Sequence, residues 1–309
     1  MPDRLHFKFC FTAWPRIMTL TTMASLLFCI AALGAEPPQL ITQQPQLNAT
    51  AGKTIDSDAN STVSFYAMGD VPYAPEEDLL LPKQITNLPT DGRFLIHVGD
   101  IKDGATPCDE LIYTKVASML GKSKLPTFII PGDNEWNDCQ QPEQAWKYWQ
   151  KYFRRFDQRW KHGFQVTRSP RHDENIFFVH HRVLFVGLNL VGGRVHDAAE
   201  WKGRHRDNLS WTREAMTRHG QQVHAMVILA HANPQPNHED FFKPFVEAAR
   251  TFSKPILYIH GDGHRWIKDH PWEAKNILRI QVDQGGKAPP LKVTVRDDPQ
   301  EPFQFDRRK

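Results

Sequence analysis

The chain has 309 residues of ordinary globular composition, enough for one large domain or two small ones, and a formal charge of +3. Arg4, Lys8 and Arg16 against Asp3 put +2 of that charge in residues 1–34, which leaves +1 for the remainder. A body so close to neutral argues against a nucleic-acid or membrane-surface binder, both of which need a strong basic footprint.

Residues 1–34 read as a signal peptide: a basic start, a largely apolar stretch over 17–33, and small residues at Ala32, Gly34 and Ala35 where a peptidase would cut. The alternative is an uncleaved anchor, for which the stretch is barely long enough, since a span needs about 20 apolar residues. Residues 35–61 are polar and rich in Pro and Gln, and read as a flexible leader. Removal of the signal leaves two cysteines, Cys108 and Cys139, an even pair that suggests a disulfide in an exported protein; two unrelated buried thiols are the alternative.

From residue 62 onward, short apolar runs alternate with helical segments. Strands are expected at 63–68, 94–98 and 127–130, with helices at 75–88, 109–120 and 142–160. In the last of these, Trp146, Trp149, Tyr152, Phe153 and Phe156 recur at the spacing of a buried face. A hairpin is expected at 175–180 and 183–189 through His181 and Arg182. A helix near 210–219, a strand at 225–229, a helix at 239–252 and a strand at 256–259 follow. Runs at 277–282 and 291–295 read as a second hairpin. The β-α-β-α-β opening calls for parallel strands with crossover helices, and the hairpins add antiparallel ones. The class is therefore α/β, with a mixed sheet or two stacked mixed sheets flanked by helices.

Acidic or histidine residues stand directly after five of these strands: Asp70, Asp100, Asp133 with Asn134 and Glu135, His231, and Asp262 with His264. Turns at the carboxyl ends of parallel strands border the ligand crevice of open α/β sheets, so residues far apart in the chain meet there. Four carboxylates in one crevice repel one another, and divalent cations remove that penalty. Mixed carboxylate and imidazole ligands suit Mn, Fe or Zn, and the carboxylate excess leans toward harder ions, Mg included. The cysteines fall in the loops after two of these strands, so a disulfide would tie two metal-bearing loops together.

In order, Asp70-Val-Pro72, Gly99-Asp-Ile-Lys-Asp103, Gly132-Asp-Asn-Glu135, His231 and Gly261-Asp-Gly-His264 resemble the motifs of the calcineurin-like metallophosphoesterases, which include the purple acid phosphatases. The resemblance implies an α/β/β/α sandwich over 62–309, with a helical insertion at about 140–172. It further implies two metal ions, with Asp70 and His264 at one, Asp133, His231 and Asp262 at the other, and Asp100 between them. The chain departs from the pattern at Pro72 and Asn134, where the family has histidines, at Asp133, where it has Asn, and at Asp262, where it has His. Asn134 cannot act as an acid near neutral pH, so Glu135 is the candidate to share the catalytic role. Tyr73, Lys102 and Arg204 are candidates to bind substrate. The implied activity is hydrolysis of a phosphomonoester or phosphodiester on a small phosphorylated molecule. Nucleic acid is not expected as a partner, nor is stable membrane association after signal cleavage; the expected location is periplasmic or extracellular. The alternative is a catalytically impaired metal- or ligand-binding protein of the same fold.

Overall fold

A computed structural model describes residues 62–308. The expected signal peptide and leader lie outside the described residues. In chain order the elements are β1 (Val63–Met68), α1 (Glu77–Thr86), β2 (Leu95–His97), α2 (Glu110–Leu120), β3 (Thr127–Ile129), α3 (Pro142–Phe153), β4 (Thr167–Arg168), β5 (Ile176–His180) and β6 (Val183–Gly187). Then come α4 (Ala198–His219), β7 (Ala225–Leu229), α5 (Glu239–Phe252), β8 (Ile256–His260), β9 (Ile267–Asp269), β10 (Ile277–Gln281), β11 (Leu291–Val295) and β12 (Phe303–Asp306).

The strands form two mixed sheets. One has the order β12-β11-β1-β2-β3 and the other β4-β5-β6-β7-β8-β10-β9. Strand periodicity explains the layering, because successive side chains point to opposite faces. Phe65 and Ala67 of β1 join Phe178, Phe185, Val227 and Leu229 of the other sheet in one central core. Their neighbours Tyr66 and Met68 pack outward with residues of α1, α2 and α3, while Met226 and Ile228 pack outward with α4 and α5. The result is a helix–sheet–sheet–helix sandwich. Trp149, Phe153 and Phe156 are buried in the outer layer, as the spacing of that aromatic stretch predicts. Among the described residues no helix is long and apolar enough to cross a membrane.

Three sequence expectations are corrected. The helix at 142–160 stops at Phe153, because Arg154 turns extended and Arg155 takes a left-handed conformation (φ 57°) before a short 3-10 turn. The helix near 210–219 begins at Ala198: the Asp197 carboxylate accepts from the amides of Ala199 (2.8 Å) and Glu200 (3.1 Å), an N-cap whose Asp-x-x-Glu signature stands in the sequence. Finally, 277–282 and 291–295 are not a hairpin. β10 lies parallel beside β8, whereas β11 crosses to the other sheet and runs antiparallel to β1. The connecting segment seats Gly285 against the first metal-candidate turn, its amide donating to the Gly69 carbonyl at 3.0 Å.

Candidate metal centre

Parallel β1, β2 and β3 in one sheet and parallel β6, β7, β8 and β10 in the other all end at the same edge of the sandwich. The turns that follow carry the candidate ligands. Asp70, Asp100, Asp262 and His264 take positive φ (56°, 60°, 70° and 59°), a region that Asp and His enter more readily than bulkier residues. Two glycines allow the turns to close up. A Cβ on Gly132 would lie 2.2 Å from the Asp100 amide nitrogen and its Oδ1, and one on Gly261 would lie 2.6 Å from Asp70 Oδ2.

Two triads result, sharing Asp100. In each of Asp70–Asp100–His264 and Asp100–Asp133–His231, the ligand atoms lie within 4.8 Å of one another. Asp70, Asp100, Asp133 and His231 form a buried floor, and His264, with 43% of its side chain exposed, stands at the mouth. Asp262 belongs to neither triad. Its Oδ2 accepts from the Asn233 amide at 3.3 Å, and its own amide donates to Asp70 Oδ1 at 3.1 Å, which ties the two sheets together.

His231 Nδ1 can only donate to the Val98 carbonyl, 2.7 Å away, so in the neutral ring Nε2 carries a lone pair. That lone pair faces Asp133 Oδ1 at 3.1 Å and Asp100 Oδ1 at 3.4 Å. Lone pairs at such distances repel unless a proton or a cation stands between them. His231 Nε2, Asp133 Oδ1 and Asp70 Oδ2 are also buried without a hydrogen-bond partner. Orphaned ligand atoms of this kind fit a pair of divalent ions.

Without cations the charges redistribute. Burial pushes the Asp133 carboxyl up to about 7, with the Asp100 charge adding to the effect. Burial also raises Asp70, against the pull of His264 and His231. Burial acts upward on Asp100 too, yet His231 and the hydrogen bonds from Tyr73 and Asn134 outweigh it and hold the group at about 2. Burial works against a charged His231, but Asp100 and Asp133 win and hold its pKa well above the usual imidazole range. The floor thus holds protons where a metal would supply the positive charge.

The candidate substrate and catalytic residues separate. The Tyr73 hydroxyl lies inside the first triad, donating to Asp100 Oδ2 at 2.7 Å and standing 3.3 Å from both Asp70 Oδ1 and His264 Nε2. Asn134 Nδ2 donates to Asp100 Oδ2 at 2.6 Å and to the Tyr73 hydroxyl at 3.3 Å. Glu135 does not face the crevice. It is fully buried, and its oxygens accept from the amides of Gly132 (2.6 Å) and Asp100 (3.1 Å), so it braces the two turns. Lys102 is 3% exposed and donates to the Asp103 carbonyl at 2.9 Å. Arg204 does not overhang the crevice either: its segment is helix, and its guanidinium is buried against Glu200, Trp136 and Trp201. Glu77 went unnoticed in the sequence, where it looks like an ordinary first-turn acid of a helix. Its carboxylate accepts the Tyr73 amide at 2.7 Å and so sets that side chain in the triad.

A disulfide joins Cys108 and Cys139 across the loops after β2 and β3, with Cα atoms 6.0 Å apart.

No protein-family model matches the chain, and no curated protein matches it. Similar solved structures do exist. One is the purple acid phosphatase PPD1 from yellow lupin (Lupinus luteus) seeds, at 11% identity over 79% of this chain and 53% of that one, with a TM-score of 0.49. A 5'-nucleotidase from Candida albicans SC5314 is similar at 14% identity over 79% of this chain and 50% of that one, with a TM-score of 0.45. GAP50, described as the anchor in the inner membrane complex of Plasmodium, is similar at 10% identity over 80% and 88%, with a TM-score of 0.48. The chain spans about half the length of the phosphatase and the nucleotidase. Likenesses at identities and TM-scores this low say nothing of what this chain does.

Proposed function

We propose that the chain is a metal-dependent hydrolase of phosphate esters, a divergent calcineurin-like metallophosphoesterase acting on a small phosphorylated molecule. The observation that carries this reading is the pair of triads meeting at Asp100, with three buried ligand atoms that have no hydrogen-bond partner. Asp70, Asp100 and His264, with the Tyr73 hydroxyl as a further oxygen donor, would hold one divalent ion. Asp100, Asp133 and His231 would hold the other, with Asp262 at the rim. Bound ions of the Mn, Fe, Zn or Mg type supply charge neutralisation for a phosphoryl group and activation of water.

The chain's own residues do the positioning. Glu135 fixes the turns that carry Asp100 and Asp133, and Val98 aims His231 Nε2 at the centre. Asn134 orients Asp100 and the Tyr73 hydroxyl through its side-chain amide. No imidazole takes the place at Asn134, so a departing alkoxide finds no acid there, and esters with good leaving groups should react best. The disulfide favours an exported protein.

The test is metal content of the purified protein, combined with release of nitrophenol from nitrophenyl phosphate and bis(nitrophenyl) phosphate. The expected result is metal-dependent turnover that Asp100→Ala abolishes. Asn134 also favours a second reading, a metal- or ligand-binding protein with impaired catalysis. Bound metal and tight phosphate binding with no turnover across several divalent ions would select it, and absence of bound metal would overturn both.

A further inference from the structure

The acids of the metal centre leave little positive charge over for a substrate. Asp70, Asp100 and Asp133 are buried ligand candidates, and Asp262 stands at the rim with its amide on Asp70 Oδ1. The Asp262 charge is felt at Asp133 on one side of the centre and at His264 on the other. Asp133 and Asp262 are also the two places where this chain carries an acid and the motifs it resembles carry Asn and His. A cation takes its ligands as ionised carboxylates and neutral imidazoles. Four such carboxylates match two divalent ions charge for charge, so the loaded centre is neutral as a whole.

The basic side chains nearby do not make up the difference. Lys102 is buried, donates to the Asp103 carbonyl, and feels Glu135 most strongly among its charged neighbours. Arg279 lies behind Asn233, donating to its Oδ1 at 3.0 Å, and grips Asp269 from Nε at 2.7 Å. Arg265, next to His264, is exposed, where water and salt screen its charge. Tyr73 and Asn134, which flank Asp100, are uncharged donors. A phosphomonoester loses its second proton near about pH 6 and is a dianion above it, so it needs a cationic surplus to be held. A phosphodiester carries a single charge and needs less.

Resting on the phosphoesterase reading above, we infer that this centre selects a monoanionic phosphodiester over a dianionic phosphomonoester, and that Asp133 and Asp262 set the preference. The side chain at 134 adds a second condition: the ester cleaved carries a leaving group, such as a phenolate, that departs without a proton. A water oxygen bonds to phosphorus as one ester P–O bond breaks; the electron pair leaves on the phenolate oxygen, and the protons of the water pass to solvent. The product is a monoester, and its second charge favours release, so the reaction stops after one bond.

The experiment loads the protein with Mn, checks the metal content, and compares kcat/KM for bis(nitrophenyl) phosphate and nitrophenyl phosphate. These esters share a leaving group and differ in charge. The variants are Asp262→Asn and Asp133→Asn, and a ratio of rates within one preparation cancels any loss of folded protein. The expected result is a higher value for the diester in the wild type, with a fall in the diester-to-monoester ratio of about tenfold for each charge removed. A higher wild-type value for the monoester, or a ratio that either variant leaves unmoved, overturns the inference. Binding gives a readout apart from turnover. Calorimetry at about pH 8 compares phenylphosphonate, a dianion, with its monomethyl ester, a monoanion. The ester should bind at least as tightly to the wild type, and Asp262→Asn should shift the preference toward the dianion by about tenfold. Tighter wild-type binding of the dianion, no shift, or no binding of either overturns the inference. If no ester is turned over, the phosphoesterase reading fails, and the binding pair alone judges the charge preference.

Discussion

The imidazole of His231 is clamped to the carbonyl of Val98, a residue of the opposite sheet, through a 2.7 Å hydrogen bond from Nδ1. One tautomer is thereby selected, and the nitrogen left over is the one that faces Asp100 and Asp133. Such outer partners orient metal-ligating histidines in many sites. Replacing His231 with Ala should lower bound metal from about two equivalents to about one or fewer. Elemental analysis after dialysis checks this, and unaltered metal content would remove His231 from the ligand set.

Metal-free protein should lose stability as the pH rises. Burial and neighbouring charge raise Asp133 to about 7 and Glu135 to about 8, whereas the same carboxyls titrate near about 4 in an unfolded chain. Between those values the folded state binds more protons than the unfolded one, so its advantage fades through that window. His231 is raised too, and its contribution, complete below the ordinary imidazole value of about 6.5, is lost in the same direction. Asp100 acts oppositely, losing its contribution only as the pH falls from about 4 toward about 2. The Tm of chelator-treated protein should therefore fall by several degrees from about pH 5 to about pH 8, and Mn should flatten the curve. A metal-free Tm that holds or climbs over this range would contradict the charge distribution described above.

Asn134→His should restore a proton donor at the mouth. Rates on alkyl phosphates are expected to rise by about a hundredfold, while nitrophenyl phosphate, whose leaving group needs no proton, gains little. Steady-state kinetics on the two ester types separate the outcomes, and an equal gain on both would assign the effect to binding instead.

Loss of the disulfide should be felt first in the metal-bearing loops. The bond spans a sequence separation of 31, and closing a loop of that length stabilises the fold by about 3–4 kcal/mol in the chain-entropy account. The double variant Cys108→Ser/Cys139→Ser should therefore unfold at lower denaturant. Because Asn134 and the braces of Glu135 sit between the tethered positions, its metal affinity should fall as well. Denaturant titration and a metal-competition assay measure the two effects independently.

Much of the fold is legible in the sequence because strand periodicity and turn residues are local signals. β1, the β5–β6 hairpin and α5 all stand where the apolar pattern puts them. The ordered Gly-Asp turns likewise give away the strand ends that meet. What escaped the reading depends on contacts across the fold. The partner of 291–295 is β1, over two hundred residues earlier, and no local pattern records that. The first half of α4 is too polar to show a strong apolar stripe, so the helix was expected only near 210–219 and Arg204 stood as a candidate to bind substrate. The bracing contacts of Glu135 were likewise out of reach, since only the folded chain shows two backbone amides filling both its oxygens.

The strand that leads into Asp70 lies between β2 and β11, so its second neighbour comes from residues 291–295, over two hundred positions later. A nascent chain therefore displays the first candidate ligand on a half-zipped edge until residues 291–295 have left the ribosome. Whatever the candidate site takes up, its first wall is complete only once β11 is paired, and a premature stop codon shortly before position 291 would yield a product that keeps all six candidate ligands yet lacks the strand that flanks β1.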